Sequence, residues 1–181
     1  MIQVERLQLH HVRDFLQWGV HEDPLLKIYN FEEKESTLED WYRWKTGGKM
    51  DVYFAILLDG LAIGYMGLKD IKKIARRGTL GIILDKNHMN QGLGTEAITW
   101  LMNYAFYKMH LNRVDLEVLP WNQLGIHIYK KLGFQTVGRH RVRAVVPLVI
   151  DGVVLEEERP RFVEVIQMRL SKDRWSERIE I

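Results

Sequence analysis

Apolar and polar residues alternate at Ile2 and Val4, the period of a half-buried first strand. Val12, Phe15, Leu16 and Val20 then recur at helical spacing and predict a first helix. His21-Glu22-Asp23-Pro24 ends it, because proline disfavours helix at the residue before it. Residues 24–35 follow no clear period and read as an ordered loop. Ser36-Thr37-Leu38-Glu39 has capping-box spacing, which predicts a second helix through Trp41 and Trp44 to Gly47-Gly48. Two apolar runs, 52–58 and 61–68, flank Asp59-Gly60 and give the strongest hairpin signal in the chain.

The next stretch changes character twice. Residues 80–84 form a short apolar run, the mark of a buried strand, and a polar loop with Gly92 and Gly94 follows. Ala97, Ile98, Leu101, Met102, Ala105 and Met109 then recur as one face of a helix. Residues 114–119 predict another strand. Asn122 can cap a short helix bearing Leu124, Ile128 and Leu132, which Gly133 closes. Residues 134–146 and 161–170 are strand-like, with Asp151-Gly152 as a turn between two further arms. Residues 171–181 are charged and read as peripheral. The order β-α-α-β-β-β-α-β-α-β-β predicts an α/β (α+β) domain spanning 1–181, a mixed sheet flanked by helices.

Composition narrows the class. At 181 residues the chain can bury a sizeable core without staples. A net charge of +2 gives no argument for nucleic acid, and no apolar run reaches membrane-spanning length. Cysteine is absent, which excludes disulfides, thiolate metal sites and a cysteine nucleophile. The start lacks a basic segment followed by an apolar core, so no signal peptide is expected. The expectation is a cytoplasmic protein.

A strand, a glycine loop and a helix in that order present free backbone N–H groups at the positive end of a helix dipole. That is a site for phosphate or pyrophosphate. Equally, the glycines serve a tight helix entry. A Walker loop needs Lys-Ser/Thr after its last glycine, and Gly94-Thr95-Glu96 has no such lysine. A dinucleotide fingerprint fits Gly92-x-Gly94-x-x-Ala97 with Asp115 beyond it, so an NAD(P)-dependent oxidoreductase stands as one alternative. Against it, residues 86–91 separate strand from glycines and the motif lies mid-chain.

Taken with what lies downstream, the stretch acquires a specific likeness. Asn90-Gln-Gly-Leu-Gly-Thr-Glu-Ala, then Leu116-Glu-Val, then Asn122 and Tyr129-x-x-x-Gly-Phe134 together resemble the GNAT superfamily of acyl-CoA N-acyltransferases. The pattern looks most like the branch containing ribosomal-protein N-terminal and spermidine acetyltransferases, and is clear from about residue 52 to residue 134. One position departs from the family loop Arg/Gln-x-x-Gly-x-Gly/Ala. Glu96 stands where a small residue is usual, so its carboxylate must point away from the phosphates.

The resemblance implies a GNAT-like, mostly antiparallel twisted sheet in which strands 81–85 and 114–119 splay apart at one end. The pantetheine arm of acetyl-CoA would enter that gap and bond to the backbone of Ile83, Leu84 and Asp85. Its pyrophosphate would rest on the N–H groups of Asn90, Gln91, Gly92, Leu93, Gly94 and Thr95. An N–H near Leu84 would face the developing oxyanion. The implied activity is acetyl transfer directly to a primary amine (a protein N-terminus, a polyamine or another small amine) in a ternary complex, without an acyl-enzyme and without metal.

The amine must be neutral to attack, and Glu117 is the candidate base, directly or through water, with Glu22 or Asp23 as substitutes. An exposed strand carboxylate or an ion pair is the competing reading of Glu117. Tyr129 is the candidate acid for the departing thiolate, against a partly buried helical tyrosine bonded to a carbonyl. Asn122 can cap its helix and also bond the pantetheine. Glu22, Asp23, Glu32, Glu33 and Glu35 would suit a cationic acceptor, though solvated loop acids read the same way. A non-catalytic acyl-CoA-binding module is a further alternative.

The remaining clusters read as structural. His10-His11 lacks a third metal ligand at a recognisable spacing and reads as surface helix. His88 and His127 are bystanders, and Trp41, Trp44 and Trp100 are packing residues. Arg139, His140, Arg141 and Arg143 form a charged strand face, either ordinary surface charge or open to an acidic partner, and Lys72, Lys73, Arg76 and Arg77 read as a solvated basic turn, with contact to an acidic ligand group as the alternative. Neither nucleic acid nor membrane is an expected partner. The strand-rich C-terminal part leaves room for a homodimer by strand exchange or edge pairing.

Overall fold

The computed structural model describes residues 1–150 and 153–179. Seven strands form one sheet in the order β1-β2-β3-β4-β5-β7-β6. They are β1 (Gln3–Arg6), β2 (Val52–Leu58), β3 (Leu61–Lys72), β4 (Arg77–Leu84), β5 (Arg113–Val118), β6 (Gln135–Ile150) and β7 (Val153–Ser171). Every neighbouring pair is antiparallel except β4 and β5. A dinucleotide-binding sheet is parallel, so the oxidoreductase alternative has no fold to stand on here.

Helices cover both faces. α1 (Leu9–Asp14) and α2 (Leu38–Thr46) lie on one, with α3 (Leu93–Asn103), α4 (Gln123–Lys131) and α5 (Lys172–Ile179) on the other. The continuous apolar run of β2 follows from this double cover. Tyr53, Ala55 and Leu57 pack with Val12, Phe15 and Leu38, while Phe54 and Ile56 pack with Ala97, Ile98 and Leu101.

The first helix is shorter than its apolar spacing predicts. It passes into a 3₁₀ turn at Phe15–Gln17, and Val20 lies beyond it, exposed. α2 begins after a 3₁₀ turn at Glu35–Thr37. The expected Ser36–Glu39 capping box is replaced by Thr37, whose Oγ1 accepts from Lys34 N–H at 3.1 Å. The C-terminal stretch, expected to be peripheral, is helical as α5, and its Trp175 is buried with its ring centroid 6.5 Å from that of Phe106. The apolar positions that dock it were masked by surrounding charge. The Asp151-Gly152 turn lies outside the described residues.

β7 pairs with β5 only over Ile166–Ser171, whereas its pairing with β6 continues to Ile150 and Val153. The outer part of the hairpin is therefore a two-stranded arm. Val145 and Pro147 of this arm reach the N-terminal loops on the α1–α2 face.

Candidate active site

The one parallel pair among the described strands is also the shortest. β4 and β5 share a register at Arg77 with Arg113, Gly78 with Val114 and Thr79 with Asp115, and beyond that point they diverge. Parity then decides which backbone groups face the gap. Asp85 N–H donates to Ile63 C=O at 2.7 Å. In an antiparallel ladder such bonding alternates, so Ile83 also turns its N–H and C=O towards β3. Ile82 and Leu84 turn theirs into the gap. On the other side, Lys172 N–H donates to Asn112 C=O at 2.9 Å, which leaves Glu117 with its backbone facing β4. The expected run of contacts through Ile83, Leu84 and Asp85 is thus corrected. Of those three residues only Leu84 turns its backbone to the gap, Ile82 does the same, and the backbone N–H of Asp85 is committed to Ile63.

Asp85 has a different task. Its buried carboxylate accepts from Gly19 N–H at 2.8 Å and Asn87 N–H at 3.1 Å, and meets His88 Nδ1 at 2.7 Å. His88 is therefore a partner of the strand end.

The glycine loop delivers α3 to the open end of β4. Gly92 is the N-cap at φ +80°, a left-handed conformation that suits glycine, and Asn90 is also left-handed at φ +60°. Gly92 has no side chain to cap the helix. Its C=O accepts from Glu96 N–H, and the N–H groups of Leu93, Gly94 and Thr95 have no partner among the described residues. A Cβ on Gly94 would meet only Leu84 Cδ2, at 3.9 Å, so nothing in the protein fills the space above this turn. Glu96 points away, its Oε1 accepting from Ile2 N–H at 3.1 Å. Gln91 is held beside the loop by its Nε2–H, which donates to Asn87 C=O at 3.2 Å.

On the β5 side, Asn122 caps α4, its Oδ1 accepting from Gly125 N–H at 2.9 Å. Its Nδ2–H donates to Tyr29 Oη at 2.9 Å, so both ends of the amide are engaged. Tyr129 stands seven residues further along, on nearly the same helix face. Its ring packs edge-on to Phe134 at 5.9 Å, and its hydroxyl has no partner among the described residues. Burial pushes the Tyr129 phenol well above its ordinary range, and the neighbouring Tyr29 adds to the effect. Burial also raises Tyr29, which the Asn122 bond partly offsets. Glu117 is not isolated: Oε1 lies 2.9 Å from His140 Nε2, both side chains being about two-fifths exposed. Glu117 is thus paired with an imidazole, and His140 joins it at the site. Glu22 and Asp23 are exposed.

Residues 18–31 cross from one side of the gap to the other. Gly19 is tied to Asp85, and Val20 C=O accepts from Lys86 Nζ at 2.8 Å. At the far end Leu25 C=O accepts from Trp121 Nε1–H at 2.8 Å, and Tyr29 is held by Asn122. An internal clasp joins His21 and Asn30, with His21 N–H donating to Asn30 Oδ1 at 2.8 Å. The segment is a strap over the mouth of the wedge. No hydrophobic period marks it, so neither the strap nor Tyr29 was found from the sequence.

Under the strap lies a cavity of about 280 Å³. Its walls include Phe31, Trp41 and Tyr65, its acids are Glu32 and Glu33, and Val145 and Pro147 of the arm close one side. Trp41 thus both packs, 5.4 Å from Tyr65, and lines space a ligand can enter. Behind the wall Lys45 Nζ sits 4.9 Å from the centroid of Tyr53 and 5.0 Å from that of Tyr65. Burial, and then Lys69, lowers its pKa.

Other expected roles resolve as structure. His11 is buried, not on the surface, and its Nδ1 accepts from Gln8 N–H at 3.1 Å at the start of α1. Arg139 pairs with Glu164 at 2.8 Å, and Trp100 stacks on Tyr104 at 5.4 Å. No helix among the described residues is long and apolar enough to cross a membrane.

Comparison with known proteins bears on this arrangement directly. The family model described as an acetyltransferase (GNAT) domain matches residues 2–135. Spermidine N(1)-acetyltransferase of Escherichia coli (strain K12) is 33% identical over 113 residues, 61% of each chain. A Bacillus subtilis (strain 168) protein provisionally named a ribosomal N-acetyltransferase is 26% identical over 108 residues, 60% of this chain and 58% of its own. The chain thus spans about 61% of the length of the first of these relatives. Among solved structures, spermidine N-acetyltransferase from Vibrio cholerae in complex with CoA and spermine superposes with a TM-score of 0.72 at 19% identity, covering 97% of this chain and 98% of that one. A mutant form of the Vibrio cholerae enzyme gives 0.74 at 18% identity, covering 98% of both. With the family model covering everything from β1 to the start of β6, splayed strands and glycine-capped helix included, the chain belongs to the GNAT acetyltransferase domain family.

Proposed function

We propose that this chain is an acetyl-CoA-dependent N-acetyltransferase that transfers the acetyl group directly to a primary amine in a ternary complex, and that its acceptor is a cationic small amine. One observation carries the reading. The unzipped edge of β4 ends beside an uncapped helix N-terminus, so Ile82 and Leu84 offer strand-like hydrogen bonds in line with the free N–H groups of Leu93, Gly94 and Thr95. That pairing fits a molecule with an amide-bearing arm and a pyrophosphate. Acetyl-CoA held there supplies the acetyl thioester.

The chain's own groups account for the rest. The Leu84 N–H faces the gap and can stabilise charge developing on an acyl oxygen. Tyr129 keeps its proton at neutral pH because burial disfavours the phenolate, and it can donate to a departing sulfur. The Glu117–His140 pair can take a proton from the attacking nitrogen, directly or through water. The C–N bond forms as the C–S bond breaks, with one proton leaving nitrogen and one reaching sulfur.

Glu32 and Glu33, two acids to the single Lys27 in the lining of an aromatic-walled cavity, favour a cationic acceptor. The relatives named for spermidine are consistent with that choice. The test is acetyl-CoA turnover, read by thiol release, over a panel of polyamines, monoamines, amino acids and peptide N-termini. Transfer to polyamines or other cationic amines is expected. Binding of acetyl-CoA with no transfer to any amine would replace the enzyme by a binding module.

A further inference from the structure

The basic turn at Lys72, Lys73, Arg76 and Arg77 has a second reading, contact with an acidic ligand group, and the fold sets part of it on a cavity. This cavity, of about 790 Å³, shares no lining residue with the one under the strap. It opens where β1 ends, β2 begins, β3 ends and β4 is entered. The 11 residues of α3 and the 5 of the π turn that follows it, Tyr104–Lys108, lead from the glycine loop to its edge. At the helical rise that is roughly 24 Å, so the cavity lies well away from the free N–H groups of Leu93, Gly94 and Thr95.

Its floor is apolar. Ile71 and Leu111 are buried, and Met50, Val52 and Met109 pack, half-buried, against the main core. Its rim is cationic. Arg6, Lys49, Lys73 and Arg76 stand around it, and none is ion-paired with a carboxylate among the described residues. Asp51, the one acid in the lining among those residues, is turned into its own loop. Its Oδ1 accepts from Asp70 N–H at 3.1 Å, and Oδ2 lies 2.7 Å from where a Cβ on Gly48 would stand.

Two of the cations are held in place. Arg76 is left-handed at φ +47°, its C=O accepts from Asn112 N–H at 2.7 Å, and its Nε–H donates to His110 C=O at 2.8 Å. Both terminal guanidinium nitrogens are left for a ligand. His110, also in the lining, is left-handed at φ +56°. Residues other than glycine keep that conformation only where the surroundings over-determine it, and such residues gather at functional sites. Arg6 is fixed by the Phe54 ring, whose centroid lies 5.3 Å from its guanidinium carbon. On β1 and at the entrance to β4, the two arginines stand three strand spacings apart, about 14 Å between backbones.

Fixed cations around an apolar floor, in a concavity of this size, suit an amphipathic anion: its body covers the floor and its head group pairs with the rim. We propose that this cavity is a second binding site, taking a small organic anion with a carboxylate or phosphate head on an apolar body, independently of acetyl-CoA in the wedge.

The test titrates the full chain with octanoate and with octyl phosphate by calorimetry, at saturating CoA so that the glycine turn is occupied. A single site with a Kd of about 0.1–1 mM is expected for at least one of them, the scale that ligands of this size reach. The tighter of the two assigns the head group. Octylammonium and inorganic phosphate each lack half of the recognised chemistry and should bind at least about tenfold more weakly. A double variant, Lys49→Gln with Lys73→Gln, should lose about tenfold in affinity at an unchanged Tm, because both side chains are exposed. Arg6→Gln should weaken binding from the other wall. No binding of either anion, octylammonium binding as tightly as they do, or affinities unaltered by the substitutions would overturn the proposal and leave the basic turn as solvated charge. Binding seen only when CoA is left out would overturn it too, by placing the anions at the glycine turn, and would leave the functional reading standing.

Discussion

A Cβ placed on Gly94 would lie 3.9 Å from Leu84 Cδ2, so the first turn of α3 and the open end of β4 meet in ordinary contact with space left between them. Gly92, two residues earlier, has nothing within 4 Å but sits at φ +80°. The two glycines therefore serve different ends, and substitution separates them. Gly94→Ala should leave Tm unchanged or slightly raised, since alanine is favoured over glycine inside a helix by about 0.5–1 kcal/mol. Its acetyl-CoA affinity should fall at least tenfold, because the methyl occupies space meant for the ligand. Gly92→Ala should cost stability, about 1–2 kcal/mol for a left-handed alanine. Calorimetric Tm and acetyl-CoA titration of both variants decide the matter, and a Gly94→Ala chain that binds normally removes the anion from this turn.

Tyr129→Phe should lower kcat by about 10²-fold or more, the usual scale for a positioned proton donor, while sparing the Kd for acetyl-CoA. The cofactor contacts assigned above are backbone groups of β4 and α3, which the substitution does not touch. Stopped-flow or steady-state thiol release with a parallel binding titration measures both numbers. Unchanged turnover would dismiss the acid role.

Glu117→Gln and His140→Gln remove opposite halves of one contact. If the pair accepts the amine proton, each should shift the acidic limb of kcat/KM to higher pH. Stability should change little, because exposed ion pairs contribute about 0–1 kcal/mol. A profile unaltered in both variants would move the base elsewhere, and Glu22 or Asp23 would then be the residues to replace.

Much of this fold was written locally. The hairpin at Asp59-Gly60, the Asn122 cap and the glycine entry to α3 are each set by residues adjacent in sequence, and each formed where local chemistry places it. The splay of β4 from β5 followed from the family resemblance, not from periodicity. What escaped were contacts between segments distant in sequence. Asp85 looked like a strand-end backbone donor, yet its carboxylate anchors Gly19, 66 residues away. Tyr29 sits in a stretch without a period and gains its place from Asn122, 93 residues on. His140 read as part of a basic strand face open to an acidic partner, but that the partner is Glu117 could not be read, because only the β5–β7–β6 order brings the two together.

Glu32 and Glu33 line the cavity under the strap together with Phe31, Trp41 and Tyr65. Neutralising both as Gln should raise KM for a cationic amine several-fold while leaving kcat nearly constant, the pattern of lost uniform binding. The wild-type KM should rise with ionic strength and that of the variant should respond less, because exposed charges are screened over about 8–10 Å at physiological salt. Kinetics at two salt concentrations provide the check. Equal KM values in wild type and variant would mean that the acids are solvated loop charges.

Stability should fall as the medium is acidified below about pH 6.5, and two histidines set the direction. His11 is buried, and its Nδ1 accepts from Gln8 N–H, a bond that only an unprotonated nitrogen can make. Burial first, then His10, lowers its pKa below 6.5, against the opposing pull of Glu5 and Asp14. His21 is a buried residue of the strap itself, and burial followed by Lys86 lowers it too, with Asp23 and Asp85 opposing. Both groups hold fewer protons folded than unfolded, so stability rises with pH between the folded and unfolded values. Their contribution is fully present above about 6.5 and is lost as pH drops below it. Between about pH 7.5 and 5.5 most carboxylates remain ionised, so a fall in Tm across that window reports these imidazoles. His11→Gln, which keeps a side-chain oxygen able to accept from Gln8, and His21→Gln should each flatten the slope, and the double variant should flatten it most. A wild-type Tm constant from about pH 7.5 to 5.5, or a slope unaffected by either substitution, would show that neither ring is held neutral by the fold.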